Sequence, residues 1–151
     1  MVDLDDVELD GALEAIHLGF RALVAAPDRL LSPRGLGRSH HRILYLVQRR
    51  PGIAVGGLIE RLGVTKQAVS APLRELVEQR LVAARSSAAD GRQKVLSLTA
   101  AGRRLEAALT GDQHERLRSA FRGIDAREIR AWRNVTRRIA DGGDRARASG
   151  G

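Results

Sequence analysis

The chain has no cysteine, which excludes disulfides, thiolate metal ligands and a thiol-based redox switch. Aromatic residues make up 3% of its 151 positions, and Phe20, Tyr45, Phe121 and Trp132 are the whole set. A core must therefore be assembled from Leu, Val, Ile and Ala, a composition that favours helices. No apolar run approaches the roughly 18 residues that a membrane span requires. The acidic opening MVDLDDVELD is the reverse of a signal or transit peptide. The expectation is a cytoplasmic protein with no membrane partner.

What is present points to a globular protein with an anionic partner. Apolar residues reach 43% and charged residues 29%, too much apolar surface for a disordered chain and enough length for one real core. The net charge of +8 is unevenly spread: residues 1–35 carry −4, residues 36–102 carry +7 and residues 103–151 carry +5. A basic middle segment suggests a polyanion. The competing explanation is coding bias, since Lys66 and Lys94 are the only lysines among 26 basic residues.

Periodicity divides the chain. Leu9, Leu13, Ile16, Phe20 and Leu23 recur at helical steps, predicting a first helix from about Val7 to Ala25 with its acids at the N-terminal end. PDRLLSPRGLG reads as a connector. A second helix is expected over Ser39–Gln48, stopped by RRPG, and a third over Val55–Leu62, closed by Gly63 as a C′ glycine. The TKQAV segment follows after a tight turn. The period then changes: LVAARSS (81–87) and KVLSLT (94–99) are β-prone, and Asp90-Gly91 between them is a hairpin signal. A long helix is expected from Thr99. GIDA (123–126) breaks it, with Asp125 capping a last helix through Ile139 and a disordered tail over 141–151.

Three short helices followed by a basic hairpin make a winged helix-turn-helix. The stretch DGRQKVLSLTAAG, with Asp90, Arg92, Leu98, Thr99 and Gly102 at fixed spacing, follows LGVTKQAVSAPLRELVEQRLV. In that order and spacing the two resemble the wing and helix-turn-helix of the MarR family of bacterial transcription regulators. The resemblance implies a mainly α fold with a small β-hairpin wing. Residues 36–99 would form the winged helix-turn-helix module, and residues 1–35 and 100–140 a helical region that pairs two subunits into a homodimer. Apolar helix at both ends of a short chain fits burial against a second copy. One departure is Arg80, where the family often has glycine after the recognition helix. Arginine is costly in a left-handed cap, so a differently built helix end is expected.

The segment TKQAVSAPLREL (65–76) poses its own question, because Pro72 stands inside an amphipathic helix. Either the helix starts late, with Ser70 as cap and Pro72 in its first turn, or one helix runs from Thr65 with a bend near 68–72. The second is favoured, since the resemblance needs Lys66 onward to be helical. Ala68, Val69, Leu73, Leu76 and Val77 then face inward, and Lys66, Gln67, Ser70, Ala71 and Arg74 face out. A recognition helix reads base edges from its exposed N-terminal face. Gln67 suits adenine, Ser70 a base or phosphate, and Lys66 and Arg74 phosphates, with Thr65 at the cap. Arg92 resembles the family's groove-inserting wing arginine, aimed by Asp90, while Arg85 and Lys94 flank it as phosphate contacts. The plain alternative for each is a solvated surface.

The four histidines are the only candidates for metal or acid–base chemistry, and none is paired at i, i+4. His40 and His41, being adjacent, point about 100° apart on a helix and cannot share an ion. No catalytic constellation, metal site or cofactor motif is present, so no enzyme and no cofactor is expected. Small anionic or aromatic effectors bind many members of the family, and His17, His40 or His41 could line such a site; ordinary surface or packing histidines are the bland alternative. The resulting expectation is a sequence-specific dimeric regulator of double-stranded DNA with a palindromic site, a repressor released by an effector. The rivals are a constitutive architectural DNA-binding protein without effector and a protein-interaction module using the winged-helix fold.

Overall fold

The computed structural model describes residues 3–89 and 91–148, with side chains through residue 142. Its elements are α1 (Asp6–Leu31), α2 (Arg38–Arg49), β1 (Ile53–Ala54), α3 (Val55–Leu62), α4 (Lys66–Glu78), β2 (Val82–Ser86), β3 (Lys94–Leu98), α5 (Ala100–Ala120) and α6 (Ala126–Ala148). The chain divides after Glu115 into two compact units.

In the first unit, α1 is opened by a capping box: Asp5 accepts the Glu8 N–H at 2.9 Å and Glu8 accepts the Asp5 N–H at 3.1 Å. It does not stop at Ala25 but continues through Pro27 to Leu31. The proline has no N–H for the Leu23 carbonyl one turn back. Gln113 of α5 supplies a donor instead, its Nε2 reaching the Leu23 oxygen at 3.1 Å. Val24, Pro27 and Leu31 are buried and reward the extension. A 3-10 turn, Ser32–Arg34, and the left-handed Gly35 (φ 68°) then lead to α2.

The sheet is three-stranded in the order β1-β3-β2, all antiparallel. The hairpin pairs Val82 with Leu98 and Ser86 with Lys94. β1 was not expected from the sequence; its two residues pair with Leu96 and Val95, and Gly52 N–H donates to the Leu96 carbonyl at 2.8 Å. The core joins Leu31, Ile43, Leu44, Val47, Leu58, Val69, Leu76, Leu81, Leu96 and Leu109 with their neighbours and contains no aromatic residue. Tyr45 is half-buried against it, whereas Phe20 is 52% exposed.

In the second unit, Asp125 Oδ1 accepts the Arg127 N–H at 2.7 Å and caps α6. Phe121 and Trp132 meet edge to face, with centroids 5.3 Å apart. α6 runs on to Ala148, so the segment expected as a disordered tail from residue 141 is helical up to that point; residues 149–151 lie outside the described residues.

Candidate nucleic-acid interface

α4 is one helix from Lys66 with Thr65 as its cap, Thr65 Oγ1 accepting the Ala68 N–H at 3.2 Å. This settles the position of Pro72: it lies in the helix interior rather than the first turn. Val69 and Leu76 are buried and Leu73 half-buried, as the helical period requires. Ala68 and Val77, expected on the same face, are exposed, Val77 by 37%, and Ala71, expected outward, is half-buried. Thr65, Lys66, Gln67, Ser70 and Arg74 are all exposed. Ser70 Oγ donates to the Lys66 carbonyl at 2.8 Å, which leaves the hydroxyl able to accept a hydrogen bond. Arg74 approaches Glu78 at 3.8 Å, with both side chains 66% exposed. Such a pair contributes little and exchanges readily for a stronger anion.

The C-terminal end of α4 corrects an expectation. Arg80 does occupy the left-handed region, at φ 56°. Its N–H donates to the Val77 carbonyl at 3.0 Å, and the Leu81 N–H donates to the Leu76 carbonyl at 2.9 Å. That is a complete Schellman motif, with buried Leu76 and Leu81 as its apolar pair. Arginine has taken the place usually filled by glycine without changing the construction. Thr99 ties this corner to the following helix. Its Oγ1 donates to the Arg80 carbonyl at 2.7 Å and accepts the Gly102 N–H at 3.0 Å. A Cβ on Gly102 would collide with the Leu81 carbonyl oxygen. The Leu98-Thr99…Gly102 spacing is therefore a packing requirement where the wing returns to the body.

On the wing, Arg85 lies opposite Val95 and Lys94 opposite Ser86, so the two cations sit near the hairpin's outer end. Arg85, Arg92 and Lys94 are exposed. Asp90 lies outside the described residues, and with it the expected aiming of Arg92.

The histidines are not brought together. His17 is exposed on α1 and His114 on α5, whereas His40 and His41 are each 9% exposed at the start of α2. His40 Nδ1 accepts the Gly37 N–H at 2.9 Å, and its Nε2 stands 2.8 Å from Glu75 Oε2 on α4. With Nδ1 accepting, the ring proton belongs on Nε2, which donates to the carboxylate. His41 Nε2 stands 3.2 Å from Thr110 Oγ1 on α5. Thr110 donates onward to Glu106 at 2.7 Å, and Arg49 donates to the same Glu106 oxygen at 2.6 Å. Burial lowers the His41 pKa below its ordinary 6.5 against the opposing charge of Glu106. Among the described residues no cluster could hold a metal ion. The contacts of His40 and Glu75 lie 35 positions apart in sequence, beyond any local pattern.

The sequence model of the MarR family matches residues 34–93. The chain is 37% identical to the HTH-type transcriptional regulator PetP of Rhodobacter capsulatus, over 91% of its own length and 83% of that protein. A crystal structure of a MarR family transcription regulator superposes with a TM-score of 0.72 at 25% identity, covering 90% of this chain and 93% of the other. The PcaV transcriptional regulator of Streptomyces coelicolor, solved in complex with its natural ligand, superposes at 0.63 with 22% identity, covering 93% and 98%. With the exposed polar face of α4, its Schellman corner and the basic wing already in place, the chain belongs to the MarR family of winged helix-turn-helix transcriptional regulators.

Proposed function

We propose that the protein works as a homodimeric repressor that reads a palindromic site in double-stranded DNA and is released by a small anionic or aromatic effector. The carrying observation is the exposed polar N-terminal half of α4, with Lys66, Gln67, Ser70 and Arg74 outside and Val69 and Leu76 buried beneath. In the major groove Gln67 pairs an adenine edge while Lys66 and Arg74 hold phosphates. Arg92 enters the neighbouring minor groove, and Arg85 and Lys94 meet the backbone beside it.

Dimerisation is supported by apolar surface with no partner in one chain. Leu9, Leu13, Ile16 and Phe20 on α1 are 49%, 67%, 54% and 52% exposed, and Trp132, Val135 and Ile139 on α6 are about half exposed. Contiguous patches of this kind mark a partner surface. Residues 1–35 and 100–140 then form the pairing body, with residues 36–99 as the reading module. For effector binding the support is the ligand in the PcaV complex. Of the three candidate histidines, His17 alone keeps an exposed ring; an effector using His40 or His41 must displace Glu75 or Thr110.

Site selection from a random duplex pool tests this reading. The wild-type protein is expected to select two inverted half-sites about 10 base pairs apart. Gln67→Ala is expected to relax one position in each half-site, and Arg92→Ala to weaken binding by roughly 1–3 kcal/mol per subunit without altering the melting curve. Identical motifs and affinities for all three proteins would overturn the assignment.

A further inference from the structure

We infer that His40 is a positioning residue for DNA recognition: it fastens the reading helix α4, through Glu75, to the first turn of α2 without touching DNA itself. The inference rests on the regulator reading above and adds a residue to it.

His40 uses both ring nitrogens. Nδ1 holds the Gly37 N–H at the N-terminus of α2, the half of a capping box that a third-position side chain supplies; Gly37 has no side chain to return the other half. Nε2 holds Glu75. One imidazole therefore spans the start of α2 and the middle of α4. The turn it stands on has a fixed base, because the neighbouring His41 is joined to α5 through Thr110 and Glu106, both at most 5% exposed.

Stability alone does not account for this arrangement. α2 and α4 already share the apolar core through Ile43, Leu44, Val47, Val69 and Leu76. Apolar packing is non-directional and tolerates small rotations of a helix about its own axis. A hydrogen bond of 2.8 Å to one carboxylate oxygen does not. The Glu75 side chain is 42% exposed, so the bond adds little to folding energy, yet it fixes a side chain adjacent to Arg74 on the reading helix. It also keeps a carboxylate turned to His40 on a helix whose task is to approach phosphates. Released, Glu75 is free to swing toward that polyanion and oppose binding.

The test measures affinity for a duplex selected by the wild-type protein from a random pool, beside melting curves and imidazole nitrogen spectra. Glu75→Gln retains an acceptor for the His40 Nε2–H and is expected to bind within about twofold of wild type. His40→Ala is expected to lose roughly three- to twenty-fold in affinity as a folded dimer. His40→Gln can restore the α2 cap, because glutamine is a common residue at that position of a capping box; it is expected to recover the melting temperature but not the affinity. In the wild type, the His40 ring should show the Nε2-protonated tautomer, with an Nε2 proton shift that moves in Glu75→Gln. Wild-type binding with equal affinity in His40→Gln and His40→Ala overturns the inference while leaving the regulator reading intact. A wild-type protein that selects no motif from the pool overturns the regulator reading, and the inference with it.

Discussion

At the residue scale, two side chains hold positions with measurable costs. Arg80 sits at φ 56° in a motif that glycine suits better. The left-handed region costs a non-glycine residue about 1–2 kcal/mol, partly offset by the greater unfolded-state freedom of glycine. Arg80→Gly is thus expected to stabilise the protein by about 0.5–1 kcal/mol in chemical denaturation; a lower midpoint would mean that the arginine side chain contributes more than the strain costs. His41 carries a pH dependence. Burial holds its pKa below the ordinary 6.5, so the unfolded chain takes up a proton that the folded protein refuses. Stability from this group is fully present above pH 6.5 and is lost as pH falls from there toward the lowered folded value. Melting temperatures between about pH 7 and pH 5 should fall more steeply for wild type than for His41→Gln. Parallel curves would show that His41 ionises equally in both states. The outward polar positions of α4 were legible in the sequence because burial on a helix follows a local period, as Val69 and Leu76 show. The partners of His40 and His41 were not, because Glu75 and Thr110 arrive from helices 35 and 69 positions away.

At the element scale, the helix order and the hairpin could be read from period and punctuation, and α3 has the expected bounds, Val55–Leu62. The failures share a cause. α1 was expected to end before Pro27, but the carbonyl left unpaired by the proline is satisfied by Gln113, 90 positions away. β1 is two residues long and exists only because β3 offers an edge. Both are tertiary events with no local signature. Gln113→Ala is expected to destabilise the protein by about 1–2 kcal/mol by leaving the Leu23 carbonyl unpaired in a half-buried site; an unchanged melting temperature would mean that water replaces the amide without loss. Pro72 differs, since it stands inside α4 itself. A proline there removes one helical hydrogen bond and favours a bend. Pro72→Ala should keep the fold and change site preference more than stability. A higher melting temperature with unchanged affinity and preference would make the proline incidental to recognition.

At the scale of the whole molecule, the large exposed aromatic and aliphatic side chains lie mostly outside the winged module. Of the four aromatic residues none is buried in the core: Phe20 and Trp132 are exposed, Tyr45 and Phe121 half-buried. The largest exposed apolar side chains belong to α1 and α6; exposed cations stand on α4 and the hairpin, and α6 carries exposed arginines of its own, Arg127, Arg130, Arg133, Arg137 and Arg138. The exposed apolar side chains of α1 and α6 support a dimer that does not dissociate without unfolding, and sedimentation showing a folded monomer at micromolar concentration would contradict it. The central claim is that the exposed face of α4 and the wing together read DNA. Its most direct measurement is affinity for a selected duplex and for a random duplex of the same length, followed as salt is raised. The account predicts a preference for the selected duplex of about a thousandfold or more at physiological salt. It also predicts a linear fall in log affinity with log salt, shallower in Arg92→Ala by about 0.9 for each phosphate contact removed. Equal affinity for both duplexes at every salt concentration, or a slope indifferent to Arg92, would contradict it.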